Sequence, residues 1–182
     1  MKTIAVPTRE TVSAANQQIF DKLEKGLGRV PNLFATMALS ENALGTYLAL
    51  ANAKSSLKAK EKEVINLAVS QENGCEYCTS AHTALAKLNG FNDEQILEIR
   101  SGAVSFDSKY DALAKLARNF VAAKGKPDAA LLDAFFAAGY TNEHLVDLIT
   151  VIADKTFTNY LFGATNIPVD WPAVPSLETV KA

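Results

Sequence analysis

Apolar residues recur at intervals of three and four along nearly the whole of this 182-residue chain. That spacing puts side chains on one face of an α-helix, whose repeat is about 3.6 residues, and excludes most architectures built on strands. Strand signals, meaning alternating β-branched runs bounded by glycine turns, are nearly absent. The periodicity predicts helices over 11–26, 32–38, 41–55, 59–72, 76–89, 93–101, 107–124, 128–138 and 141–164. Breakers and capping residues fall between them. Gly26 and Gly28 close the first helix, and Pro31 restarts the chain. Ser40 reads as an N-cap, and Asn89-Gly90 stops the fifth helix. Gly125 and Gly139 end two later ones, Pro127 opens the helix between them, and Thr141 and Asn142 cap the last.

The expected architecture is an all-α, compact multi-helix bundle forming one domain over residues 1–182. With 48% hydrophobic and 21% charged residues the chain has ample material for a core, which excludes a disordered reading. Eighteen basic side chains against 20 acidic ones leave a net charge of −2. No face is obliged to be basic, so nucleic acid and anionic membranes are excluded as expected partners. The first ten residues lack a secretory h-region, and no apolar run reaches the roughly eighteen residues of a membrane span. A cytoplasmic location is the expectation. Beyond the last helix, Pro168, Trp171, Pro172 and Pro175 demand an extended C-terminal arm, docked on its own domain or on a neighbouring subunit. A faint internal echo relates 61–69 to 143–151, and in that register Cys75 and Cys78 fall opposite Phe157 and Tyr160.

Chemistry concentrates in Gly74-Cys75-Glu76-Tyr77-Cys78-Thr79-Ser80-Ala81-His82, which holds both cysteines of the chain. On a helix, residues at i, i+3 and i+4 share a face, so Cys75, Cys78 and His82 form one cluster. Two thiols at that spacing can close a disulfide, supply half a metal site, or sit inert in a core. A structural zinc needs four ligands, and the only other histidine is His144, so no metal or organic cofactor is expected. In a reducing compartment a lone pair of cysteines reads as catalytic or metal-binding rather than as a staple. The helix dipole would favour a thiolate in the first turn, and His82, one turn beyond Cys78, could take its proton. A Cys78 thiolate could then attack the O–O bond of a peroxide, and Cys75 could condense with the resulting sulfenic acid.

Glu63 lies on the helix before, across a short Asn73-Gly74 connection, where its carboxylate could orient His82. By pattern alone its Lys-Glu-Lys-Glu run reads as a solvated face. His144 is given no role, and Tyr77, Trp171 and Phe135-Phe136 read as packing.

Glu63, an eleven-residue gap, Cys75-x-x-Cys78, three residues and then His82 resembles the signature of the alkylhydroperoxidase D and carboxymuconolactone decarboxylase superfamily. The segments 67–83, Val30-Pro31-Asn32-Leu33-Phe34 and Ile167-Pro168-Val169-Asp170-Trp171-Pro172 are similar to its peroxidase-related branch. The resemblance implies an all-helical fold, assembly as a homo-oligomer (trimer or hexamer) and thiol peroxidase activity on small hydroperoxides. Cys78 would attack the peroxide, Cys75 would resolve, and His82 with Glu63 would relay the proton. By analogy with alkylhydroperoxidase D itself, a dithiol reductant such as a dihydrolipoyl-bearing protein could reopen the bridge.

The chain departs from the well-studied peroxidases of the family at Tyr77, where they carry a second histidine between the cysteines. The decarboxylase members lack the cysteine pair, which speaks against a lactone decarboxylase. The rivals that remain are a general dithiol–disulfide oxidoreductase and a non-catalytic redox sensor or scaffold.

Overall fold

The structure, a computed structural model, describes residues 3–177. Among them the chain is all-α, as the periodicity predicts, with no strand. After a 3-10 turn at Arg9–Thr11 come α1 (Ala14–Leu27), α2 (Asn32–Met37), α3 (Ala43–Ala51), α4 (Ala59–Glu72) and α5 (Glu76–Leu88). They are followed by α6 (Asp93–Ser101), α7 (Ser108–Ala122), α8 (Ala129–Ala137) and α9 (Asn142–Thr165). No helix among the described residues is long and apolar enough to cross a membrane.

The departures from the predicted ends have local causes. Ser13, whose hydroxyl accepts from the Asn16 amide at 3.3 Å, starts α1 later than expected. Gly26 lies inside that helix, which ends at Gly28 with φ 74°. The third helix stops at Ala51 rather than at 55 because the chain beyond it turns to a carboxylate. The Ser56 amide and the hydroxyls of Ser55 and Ser56 all donate to Asp147 Oδ2, at 2.6, 3.1 and 2.7 Å. The N-cap of α3 is Asn42 rather than the expected Ser40, whose hydroxyl lies in the preceding turn and accepts from the Ala43 amide at 3.3 Å.

The chain divides into two compact units, Met1–Lys54 with Tyr160–Asp170 and Ser55–Asn159 with Trp171–Ala182, so α9 contributes residues to both. The first unit buries Phe20, Leu33, Met37 and Leu44. Asn16, fully buried, donates to the carbonyls of Ala38 and Ser40 at 3.1 and 3.0 Å. The start of the arm is fastened here: Asp170 Oδ2 accepts from Arg29 at 2.7 Å and from the Asn32 amide at 3.0 Å, and Ile167 is buried.

The second unit is organised around α4, which packs against α5, α6 and α7. Val64, Ile65, Leu67 and Val69 of α4 are wholly buried in its core. Burying such side chains contributes about 1.5–3 kcal/mol each, enough to draw the polar residues between them out of water too. Hence the solvated-face reading of the Lys-Glu-Lys-Glu run fails at both acids: Glu61 is 3% exposed and Glu63 8%. Each is bonded, as a buried carboxylate must be. Glu61 accepts from the Lys58 amide at 2.8 Å and lies 3.4 Å from Lys109 Nζ. Phe135 is fully buried and stacks on Tyr140 at 4.4 Å, so it packs as expected.

One glycine of this unit is fixed by its surroundings. Gly102 ends α6 at φ 77°, and a Cβ there would stand 2.4 Å from Arg118 Nη1 and 3.0 Å from its Cδ. That guanidinium is committed to Glu72 at 2.8 Å and to the Ser101 carbonyl at 2.6 Å. Gly102→Ala is therefore expected to lower stability by about 1–3 kcal/mol through left-handed strain and displacement of Arg118. Urea denaturation measures it, and a loss below a few tenths of a kcal/mol contradicts the account.

Candidate active site

The Cys75–Cys78 pair owes its geometry to the short joint between α4 and α5. The joint reverses at Gly74 (φ 64°), and the Cys75 amide bonds back to the Ser70 carbonyl at 2.9 Å. Cys75 is the N-cap of α5 rather than a residue within it. Its sulfur takes the place of a serine oxygen, accepting from the Cys78 amide at 3.3 Å. Cys78 follows in the first turn. Both cysteines are free thiols and both are 3% exposed.

The structure brings the four residues singled out by the sequence to one place. His82, one turn beyond Cys78 on α5, holds Glu63 of α4 through its Nδ1, at 2.9 Å from Oε2. The other Glu63 oxygen accepts from Asn66 Nδ2 at 3.3 Å. Burial raises the Glu63 carboxyl, but His82, Lys155 and Asn66 outweigh it and leave it below its usual value. Burial and the charge of Lys155 push His82 down, against the pull of Glu63. A carboxylate only accepts, so Nδ1 carries the proton toward Glu63, and the lone pair of Nε2 is left to accept one.

The two sulfurs are driven apart in acidity. The hydrogen bond with Cys75 does most to lower Cys78; burial opposes it, and Lys155, Asn159 and Thr158 assist, bringing the thiol down to about 7. Cys75 is raised, by sharing its hydrogen bond with Cys78 and by burial. Cys78 is thus the sulfur that ionises near neutrality.

Three contributors to that acidity escaped the sequence reading. Lys155, Thr158 and Asn159 stand at i, i+3 and i+4 on α9, and each is at most 4% exposed. Asn159 fixes the register: its Oδ1 accepts from Asn73 Nδ2 at 2.8 Å, and its Nδ2 donates to Ser70 Oγ at 3.4 Å. Lys155 Nζ lies 3.9 Å from Asp154 Oδ1. Its positive charge favours the Cys78 thiolate, the Glu63 carboxylate and the neutral form of His82 together. The available signal was a polar stripe at helical spacing inside an otherwise apolar helix. The internal echo pointed at this helix but set Phe157 and Tyr160 against the cysteines; both are exposed, at 44% and 66%. Tyr77 is 2% exposed and belongs to the core.

Among the described residues no group of three or more His, Cys, Asp and Glu side chains is arranged to hold a metal ion. The chemistry available is that of an acidic thiol beside a second thiol, with a carboxylate-oriented imidazole on the same helix.

Residues 39–118, which include Glu63, Cys75, Cys78 and His82 but not Lys155, match the carboxymuconolactone decarboxylase family. No curated protein is matched by sequence. Among solved structures, a peroxidase-related protein from Silicibacter sp. TM1040 is similar at a TM-score of 0.80 and 21% identity, over 97% of this chain and 93% of that one. An alkylhydroperoxidase AhpD core protein from Ralstonia eutropha JMP134 is similar at 0.79 and 19%, over 96% and 93%. The debrominase Bmp8, a cysteine-to-alanine variant in complex with 2,3,4-tribromopyrrole, is similar at 0.77 and 19%, over 93% of each chain. At such identities the likeness concerns the fold, which is hosted by proteins of different chemistry. The chain thus carries a segment similar to the carboxymuconolactone decarboxylase family and shares its fold with alkylhydroperoxidase D-like and peroxidase-related structures.

Proposed function

We propose that this protein is a thiol peroxidase that reduces small organic hydroperoxides through a Cys75–Cys78 disulfide cycle. The observation that carries the reading is the unequal thiol pair, with Cys75 Sγ 3.3 Å from the Cys78 amide nitrogen and the acidic Cys78 one turn from a Glu63-oriented His82. The Cys78 thiolate attacks the terminal oxygen of the hydroperoxide. The O–O bond breaks, a Cys78 sulfenic acid forms, and the alkoxide leaves as an alcohol with a proton delivered through His82. The Cys75 sulfur then displaces hydroxide from the sulfenic sulfur, closing the disulfide and releasing water. Two electrons have passed from the thiols to the peroxide, and an external dithiol or two thiols must return them.

The burial of both sulfurs favours a small substrate over the disulfide of a folded protein, which supports peroxidase over general disulfide oxidoreductase. Adding one equivalent of cumene hydroperoxide to the reduced protein tests the reading. Rapid loss of both thiols, with the intact mass lower by two hydrogens, is the expected result. Thiols that persist through that addition overturn it.

A further inference from the structure

A cavity of about 330 Å³ opens on one of the two sulfurs. Cys75 and Thr79 line it from α5, Gln71 from α4, Arg100 from the end of α6, and Pro175 of the C-terminal arm closes one wall; Cys78 does not line it. That volume lies near the lower end of small-molecule sites, about 300–1,000 Å³. Arg100 is only 4% exposed. Among the described residues, the recorded hydrogen bonds of its guanidinium go to neutral oxygens, Gln71 Oε1 and the Pro175 carbonyl, both at 2.9 Å. A buried cation with neutral partners is electrostatically incomplete, because its lost hydration is repaid only in part. Burial accordingly lowers the pKa of Arg100, with no opposing contribution from an anion. The acid at this site, Glu76, is exposed, where solvent screens it.

We propose that this cavity binds the reductant of the cycle, and that the reductant is a small thiol bearing a carboxylate, which Arg100 holds while the thiolate attacks Cys75. The inference rests on the disulfide cycle proposed above. Attack on the Cys75 sulfur breaks the S–S bond and expels Cys78 as a thiolate, leaving a mixed disulfide on Cys75. A second molecule of the thiol attacks that mixed disulfide, frees Cys75 and departs as the small-molecule disulfide. Two thiols are oxidised and one protein disulfide is reduced. The direction suits the pair, since the sulfur of lower pKa is the better leaving group and Cys78 is that sulfur.

The test begins from the Cys75–Cys78 disulfide made with diamide, so its outcome does not depend on peroxide chemistry. Reduction is followed by thiol release with mercaptopropionate and with mercaptopropionamide, which differ in the charge, and rates are compared per thiolate. The expected result is a preference of at least about tenfold for the carboxylate. Saturation with mercaptopropionate and competitive slowing by propionate are expected with it, neither of which needs a variant. In Arg100→Gln the ratio of the two rates falls to near one. A ratio near one in the native protein overturns the proposal. So does a preference that survives in folded Arg100→Gln, an absence of propionate competition, or failure of diamide to close the disulfide.

Discussion

Replacing Cys78 by serine is expected to lower the rate of peroxide consumption by about 10³-fold or more, whereas Cys75→Ser keeps the first turnover. A hydroxyl stays protonated at neutral pH where the Cys78 thiol, at about 7, is half ionised. Removing the nucleophile removes the step on which the rest of the cycle depends. In Cys75→Ser the sulfenic acid on Cys78 has no resolving partner. One equivalent of peroxide is consumed, the mass rises by one oxygen, and excess peroxide carries the sulfur on to the sulfinic acid. Stopped-flow peroxide consumption with intact-mass analysis reads both variants. A Cys75→Ser protein that is inert beside an active Cys78→Ser protein would reverse the two roles.

The second large effect lies on a residue that the family signature does not contain. Lys155→Met is expected to move the pH profile of the peroxide reaction upward by about one unit or more. The sign follows from the charge. The buried ammonium favours the Cys78 thiolate, so its removal raises the thiol above about 7. Reactivity grows as pH rises through the thiol pKa, and an upward shift of one unit from about 7 reduces the thiolate fraction, and with it the rate at pH 7, by about fivefold. His82, also held down by Lys155, moves up with it and loses part of its capacity as a base at neutral pH. Thiolate absorbance in the ultraviolet gives the shift independently of turnover. Lys155→Arg, which keeps the charge, should restore much of the profile if the charge matters rather than the packing. Methionine fills a similar volume, and replacing a buried ionic group by an apolar one is often neutral or stabilising. A variant of native or higher stability with an unshifted thiolate titration is the outcome that would remove Lys155 from the mechanism.

The two predictions separate what was legible in the chain from what was not. The helices could be read because their causes are local: apolar residues at three and four, and Gly28, Gly90, Gly125 and Gly139 in left-handed conformations just past helix C-termini. These depend on neighbours within a few residues. The α3 end was misplaced because its cause, Asp147, is 91 residues away from Ser56. The grouping of Cys75, Cys78 and His82 was legible for the same reason as the helices, since one helix carries all three at its own period. Glu63 could be placed near them because the α4–α5 joint is short enough to turn one helix back on the other.

What the sequence determined by itself is the α-helical repeat, its punctuation, and the set of reactive groups that one helix and one tight joint force together. Tertiary structure decided how acidic those groups are and from which side they are approached. It buried Glu61 and Glu63 against the solvated pattern of their own run, and it placed Lys155, Thr158 and Asn159 about 80 residues further along, beside Cys78. It also set Arg100 and the arm at Pro175 around a cavity that reaches Cys75 and not Cys78. The physical reason is range. Helix periodicity and capping act within one or two turns, whereas desolvation and the field of a buried charge depend on what the whole fold brings within a few ångströms.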